Sequence, residues 1–329
     1  MLRAIFYIIR FLPLYLKLYI DYKRILKYTK QLFKELKPKF ENWDALIDNE
    51  NQRRMRGYIL IQTLWTAGFC LLRGERIKEN ELKAVVNISA LAPLYDDFFD
   101  KVAIPSQKIQ ALVNTPFDYK PDSDIEILFI EFSKRIHENV NDVPFYLENA
   151  EDVFKAQYES KKLVTKNLLG PEFVRNVAFN KGGKTVICIC NMLNKKLSRN
   201  EYELMYQLGG VAQYLDDIFD LREDHLEGRQ TLANPVFNVG FLKQSFIDEI
   251  NDFKKKLELT TYNKFQKKAF FIPLSYVFGA TLLCTRRYKL LQEKTNGEFK
   301  IDSYSREDLV IDMDKWSNRI KAFKLSLTI

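Results

Sequence analysis

Glycine and proline are scarce, 12 and 10 in 329 residues, which argues against an all-β sandwich whose frequent turns need both. Cysteine is scarcer still. Cys70, Cys188, Cys190 and Cys284 sit in apolar surroundings and form no C-x-x-C pair, which excludes a zinc ribbon or disulfide scaffold and points to a reduced, cytoplasmic chain. Cys188 and Cys190 read as core packing. Neither of the two histidines, His137 and His225, has Glu three residues before it, so the carboxylate di-iron bundle pattern is missing too. A metal held by this chain must be held by carboxylates.

What the chain has is apolar and charged residues. Hydrophobic residues make up 47%, charged 29% and aromatic 14%, enough to exclude intrinsic disorder and to build a sizeable core. The formal charge of +8 implies contact with something anionic, without choosing among nucleic acid, lipid headgroups and phosphorylated metabolites.

Leu, Lys, Glu, Ile and Phe recur at three- and four-residue spacing, and alternating β-branched runs are missing. Helices are expected over 15–37, 55–72, 79–99, 123–139, 149–168, 172–195, 199–224, 243–258, 262–293 and 305–325. Loops are marked by Pro105, Pro116 and Pro121, by Gly170-Pro171, and by Gly228 through Pro235. No repeat or low-complexity linker interrupts 1–329, so the expectation is all-α: a single-domain antiparallel helical bundle.

Within the amphipathic N-terminal segment, 1–38, residues 1–20 are very apolar. Arg3, Arg10, Lys17 and Arg24 recur every seven residues, a narrow basic stripe on a helix. These charges and Pro13 argue against a membrane-spanning helix. Two readings stay open: a helix lying in a membrane interface with its basic side on anionic headgroups, or the first helix of the bundle.

Two Asp clusters carry the most information: Asp96, Asp97 and Asp100 in LAPLYDDFFD, and Asp216, Asp217, Asp220 and Asp224 in QYLDDIFDLRED. Steps of four along a helix make a row. Back from Asp220 the row runs Asp216, Ala212, Leu208, Leu204, and forward it reaches Asp224; back from Asp100 it runs Asp96, Ala92, Ile88, Ala84. Each row starts apolar and ends in carboxylates, on the face that periodicity turns inward. Like charges four apart cost about 0.2–0.5 kcal/mol per pair even when exposed, and several kcal/mol each when drawn unpaired into a core. Arg222 and Lys101 are near but cannot neutralise two clusters. Oxygen-only ligands favour a hard cation, Mg²⁺ in particular, bridging to substrate phosphates. A long apolar molecule with a diphosphate head fits a greasy cavity with such a rim.

At these residues the sequence resembles the class I isoprenoid synthase superfamily, over about residues 55–290. Asp96-Asp97-Phe98-Phe99-Asp100 matches the first aspartate-rich motif, DDxxD. The second region is similar to three branches at once. Gln213-Tyr-Leu-Asp216-Asp217-Ile-Phe-Asp220 looks like the second DDxxD of trans-polyprenyl diphosphate synthases, with Lys184-Thr185 similar to their K-T pair. Asp220-Leu-Arg-Glu223-Asp224 followed by Gly228-Arg229 is similar to the DxxED…GR stretch of squalene and phytoene synthases. Asp216, Asp220 and Asp224 have the spacing of the terpene cyclase metal triad but depart from its usual Asn/Asp, Ser/Thr, Glu at two positions. Arg287-Tyr288 resembles the Arg-Tyr pair of bacterial cyclases.

The resemblance implies an isoprenoid-synthase bundle around a central cavity, with both Asp rows holding a Mg²⁺ cluster on a prenyl diphosphate. It further implies diphosphate contacts from Arg175, Lys181, Lys184, Gln213, Arg229, Arg287 and Tyr288. Gly182-Gly183 is expected to loosen or break its helix so that Lys181 and Lys184 approach phosphate. Tyr95, Phe99, Tyr214, Phe219 and Trp65 would line the chamber and face the allylic cation. Chain-elongating synthases carry Arg-Arg shortly after the first motif and a Gly-Lys…Arg cluster before it. Here the first motif is followed by Lys-Val-Ala-Ile-Pro-Ser and the upstream region offers Arg53, Arg54 and Arg56 without that pattern, so the cradle for isopentenyl diphosphate is missing. That favours a terpene cyclase releasing pyrophosphate, with head-to-head coupling or chain elongation behind it. A non-catalytic membrane-surface protein binding polyprenyl phosphates is the alternative of another class. The partners implied are a prenyl diphosphate rather than nucleic acid, a peripheral contact with the inner face of the membrane through residues 1–20, and a second copy of the chain in a homodimer.

Overall fold

Apolar residues at helical spacing, with few Gly or Pro to interrupt them, make helices by burying one face. The computed structural model describes residues 2–100, 104–235 and 238–329, and each of the ten expected segments contains a helix. In chain order they are α1 (Leu2–Leu36), α2 (Trp43–Leu46), α3 (Asn49–Leu72), α4 (Glu79–Asp100), α5 (Ser106–Asn114), α6 (Asp124–Asn139), α7 (Val143–Ser160), α8 (Pro171–Asn191), α9 (Arg199–Phe219), α10 (Leu221–Leu226), α11 (Val239–Leu259), α12 (Lys264–Lys294), α13 (Arg306–Leu309) and α14 (Trp316–Ser326). Among the described residues no strand forms, and Val164 and Arg229 make one isolated antiparallel bridge.

Several expected boundaries are corrected. A helix, α5, fills the stretch between Pro105 and Pro116 because Ile109, Leu112 and Val113 give it a buried face. The helix expected over 149–168 stops at Ser160, where Lys161–Leu163 tighten into a 3-10 turn and Val164 turns extended to bridge Arg229. The one expected over 199–224 breaks at Asp220 into α9 and α10. That over 305–325 divides: the Arg287 guanidinium takes the carbonyls of Glu307 and Asp308, so the last turn of α13 finds its acceptors satisfied, and the chain runs extended at Val310 before α14.

The chain divides into two compact units, residues 1–154 with 188–196, and residues 155–187 with 197–329. In the first, α3, α4 and α6 bury Phe69, Phe98, Phe129 and Phe132. The later half of α1 is a bundle helix: Ile25, Leu32 and Leu36 are buried, and fully buried Asp21 meets Arg24 at 2.9 Å and Arg76 at 2.6 Å. The earlier half passes through Pro13 and exposes Leu12, Leu16, Tyr19 and Ile20. Of the basic stripe, the side chains of Arg3 and Arg10 lie outside the described residues, and Arg24 is turned to Asp21, the Ile77 carbonyl and Glu79.

In the second unit, α12 packs against α9, α11 and α14, with Phe278 edge-on to Phe246 and Phe253, each 6.3 Å away between ring centres. Its length and composition would let α12 cross a membrane, yet more than half of its apolar stretch is buried in the fold. All four cysteines are free and buried.

Gly182-Gly183 does not break α8, correcting the expectation. The pair lets α8 cross α9 at Gly209-Gly210 with backbones almost touching: a Cβ on Gly182 would overlap the Gly209 carbonyl oxygen and lie 2.9 Å from Cβ of Gln213, and one on Gly210 would overlap the Phe179 ring. Backbone cannot step aside as a flexible side chain can. Gly182→Ala is therefore expected to cost about 1–3 kcal/mol by urea unfolding. Gly57 of α3 has nothing within 4 Å of its would-be Cβ, and Gly57→Ala should stabilise by about 0.4–1 kcal/mol. Equal effects at the two sites would contradict the close crossing.

Candidate functional site

In the second unit the acidic row survives the helix break. Asp220 N–H donates to the Asp216 carbonyl at 2.8 Å and Asp224 N–H to the Asp220 carbonyl at 2.9 Å, so the three stay one turn apart across α9 and α10. The row does not face inward as expected. Leu204 and Leu208 are buried and Ala212 half-buried, but Asp216 and Asp220 are exposed. Steps of four overshoot a 3.6-residue turn by about 40° each, so a row that starts in the core has rotated by about 120° when it reaches Asp216. The buried line runs instead through Gln207, Gly210 and Tyr214 to Asp217, in steps of three and four.

Asp217 is a buried carboxylate with both oxygens engaged. Gln213 Nε2 donates to Oδ1 at 2.9 Å, and the Leu232 N–H donates to Oδ2 at 2.9 Å. Burial pushes its carboxyl up to about 6, the two hydrogen bonds and Lys181 opposing. Asp224 is mostly buried; burial pushes it up to about 8, reinforced by the charges of Asp217, Asp220 and Asp216 and opposed by Arg229, whose Nε lies 3.6 Å away. Arg229 also donates its N–H to the Asp224 carbonyl at 2.9 Å and its guanidinium meets Glu227 at 3.4 Å.

The loop carrying Arg229 is tied down on both sides. Gln230 N–H donates to the Leu163 carbonyl at 2.9 Å, and its side chain donates to the Thr165 and Asn167 carbonyls and accepts from Leu169 N–H. Carboxylates, Arg229, Lys181 and Gln213 thus converge where α8, α9, α10 and the 227–235 loop meet.

In the first unit, Asp96 and Asp97 are half-buried near the end of α4. Asp97 is gripped by Arg54 of α3, whose Nη1 lies 3.0 Å from Oδ2 and whose Nη2 lies 3.2 Å from Oδ1. The expectation that nothing nearby neutralises this cluster is corrected: the cation comes from another helix, which steps of four cannot show. Asp100 ends α4, but its side chain, like Lys101, lies outside the described residues. Tyr95 packs on Phe99 at 5.2 Å and Phe99 on Phe154 at 5.5 Å, an aromatic group beside Asp96.

The remaining candidates are engaged locally. Arg175 forms a two-point pair with Glu249, Nε–Oε1 2.7 Å, and stacks over Phe179. Lys184 donates to the Tyr202 hydroxyl at 3.2 Å. Arg287 closes α13 as described, and the buried Tyr288 hydroxyl donates to the Ile218 carbonyl at 2.7 Å, bracing the end of α9. Tyr214 is buried with its ring edge-on to Phe246, while Phe219 and Trp65 are half-buried. A cleft of about 390 Å³ in the first unit is lined by Arg24, Lys27, Tyr28, Lys83 and Arg135 alternating with Glu35, Glu79 and Glu138, and neither acidic row borders it.

Among the described residues no group of three or more His, Cys, Asp or Glu side chains is placed to hold a metal ion. The donor set of the second row, Asp216, Asp220 and Asp224, is all carboxylate, the ligand type that hard cations take. No family model matches the chain, and no curated protein matches it.

The raised carboxyls fix a pH dependence. Between the ordinary Asp range and about 8 the folded chain keeps a proton on Asp224 that the unfolded chain has released, so stability falls as pH rises through that window. In EDTA, the thermal midpoint should drop from about pH 5 to about pH 8, and Asp224→Asn should flatten the drop. A slope unchanged in Asp224→Asn would show that this carboxyl is not the source.

Proposed function

We propose that this chain is a Mg²⁺-dependent enzyme that ionises an allylic prenyl diphosphate, releasing pyrophosphate, with cyclisation of a single substrate as its reaction. The observation that carries the reading is the second acidic row: Asp216, Asp220 and Asp224 in register, two of them exposed, backed by buried Asp217 and flanked by Arg229 and Lys181. Mg²⁺ would be held by Asp216, Asp220 and Asp224, and when bound supplies positive charge to the diphosphate oxygens as the carbon–oxygen bond breaks.

The chain's own residues do the rest. Asp217 and Gln213 hold the 227–235 loop against α9 through the Leu232 N–H, which sets Arg229 beside the row. Arg229 and Lys181 are the cations placed to meet diphosphate charge, and the leaving pyrophosphate takes the electron pair of the broken bond. Asp96, in the first unit, stands beside the Tyr95–Phe99 pair, aromatic faces of the kind that favour a neighbouring carbocation without readily reacting with it. Arg54, one of the arginines before the first motif, is committed to Asp97, which weighs against a cradle for a homoallylic diphosphate there.

One observation favours a second reading. Arg229 closes back on Asp224 through both backbone and side chain, joining the two parts of the stretch that resembles squalene and phytoene synthases, Asp220–Asp224 and Gly228-Arg229. Coupling of two allylic diphosphates is therefore the alternative reaction.

The test is incubation with geranyl, farnesyl and geranylgeranyl diphosphates and Mg²⁺, read by pyrophosphate release and mass spectrometry. Release should need Mg²⁺ and fall by about a hundredfold or more in Asp96→Ala or Asp220→Ala at unchanged helical content. A product with the substrate's carbon count supports cyclisation, and a doubled count supports coupling. Release from none of the three would overturn the proposal.

A further inference from the structure

The C-terminal helix α14 shows two different faces. Ala322 and Ser326 are buried, set against Gly279 of α12 so closely that a Cβ there would overlap the Ala322 carbonyl oxygen and lie 2.8 Å from the Ser326 nitrogen. Trp316, Ile320, Phe323 and Leu327 are left in solvent, 74%, 52%, 54% and 71% exposed. At about 100° per residue these four fall within about 60° of arc, a single apolar stripe. A core-facing helix would bury that stripe; this one buries alanine and serine instead.

The charges beside the stripe say what suits it. On one side stand exposed Lys321 and Lys324, and on the other Arg319, whose guanidinium lies 5.4 Å from the Trp316 ring centre. No acidic residue occurs from Lys315 to Ile329; Asp312 and Asp314 precede the helix and meet Lys315 and Arg319 at 3.8 and 3.3 Å. An apolar stripe with cations along both borders and a Trp at its end matches a bilayer interface carrying anionic headgroups, apolar side chains among the acyl tails and lysines at the phosphates. A second copy of the same helix would bring cations against cations, and the formal charge of +8 works against it further. We propose that α14 docks the protein onto an anionic lipid surface, with Trp316, Ile320, Phe323 and Leu327 inserted and Lys321 and Lys324 on the headgroups.

The proposal is independent of the reaction suggested above and is tested on the full chain without substrate. Co-sedimentation with vesicles of phosphatidylcholine mixed with phosphatidylglycerol should exceed that with phosphatidylcholine alone and weaken with salt. Trp316 emission should shift to the blue on binding, and Trp316→Phe should remove that shift. Ile320→Asn with Phe323→Asn, and separately Lys321→Glu with Lys324→Glu, change exposed side chains and should each weaken binding about tenfold or more at unchanged helical content. Failure to bind anionic vesicles would overturn the proposal. So would binding that survives both pairs of changes but is lost in Leu16→Asp, which would place the contact on α1. Equally, a dimer in sedimentation velocity that the α14 changes dissociate while vesicle binding persists would assign the stripe to a second copy.

Discussion

Burying a carboxylate costs least when both its oxygens are given donors, and the second unit does this for Asp217. Gln213 reaches it along α9, and the Leu232 N–H reaches it from the loop after α10. The approach works because α8 lies backbone-to-backbone on α9 at Gly182 and Gly209, which also brings Lys181 into the field of the same carboxyl. The acidic row outside it inherits its position from this arrangement. Asp217 acts as the anchor, and Asp216 and Asp220 lie exposed to solvent outside it.

The same concentration of charge is a standing cost. Asp224 is pushed up to about 8 because burial and three aspartates outweigh one arginine 3.6 Å away. A fold under selection for stability alone would replace such residues with neutral ones. Arg54 shows the other solution, since Asp97 in the first unit is neutralised by a fork of hydrogen bonds from a neighbouring helix. The contrast between a paired Asp97 and an Asp224 held against its own ionisation directs the functional proposal to α9 and α10.

Local patterns made the helices legible. Three- and four-residue spacing located the long ones, and the break at Asp220 and the early end of α7 depended on contacts between distant segments, Val164 with Arg229 and Gln230 with Leu163, which spacing does not encode. The acidic clusters are visible as composition, but a step of four drifts around a helix and hides which way the second row turns; a line through Gln207, Gly210, Tyr214 and Asp217 follows the buried face. Arg54 and Gln230 had no signal in sequence, since each acts on a partner more than forty residues away. Gly182-Gly183 on its own reads as a helix breaker. Two glycine pairs, at 182–183 and 209–210, are the mark of a close helix crossing.

The central claim is that the α9–α10 aspartates form a divalent-cation site. Crystals soaked in Mn²⁺, which substitutes for Mg²⁺ on oxygen ligands and scatters anomalously, test it directly. An anomalous peak is expected about 2.0–2.3 Å from carboxylate oxygens of Asp216, Asp220 or Asp224, with Asp217 still bonded to Gln213 and Leu232. A well-occupied peak elsewhere, with the row bare at saturating Mn²⁺ and neutral pH, would contradict it.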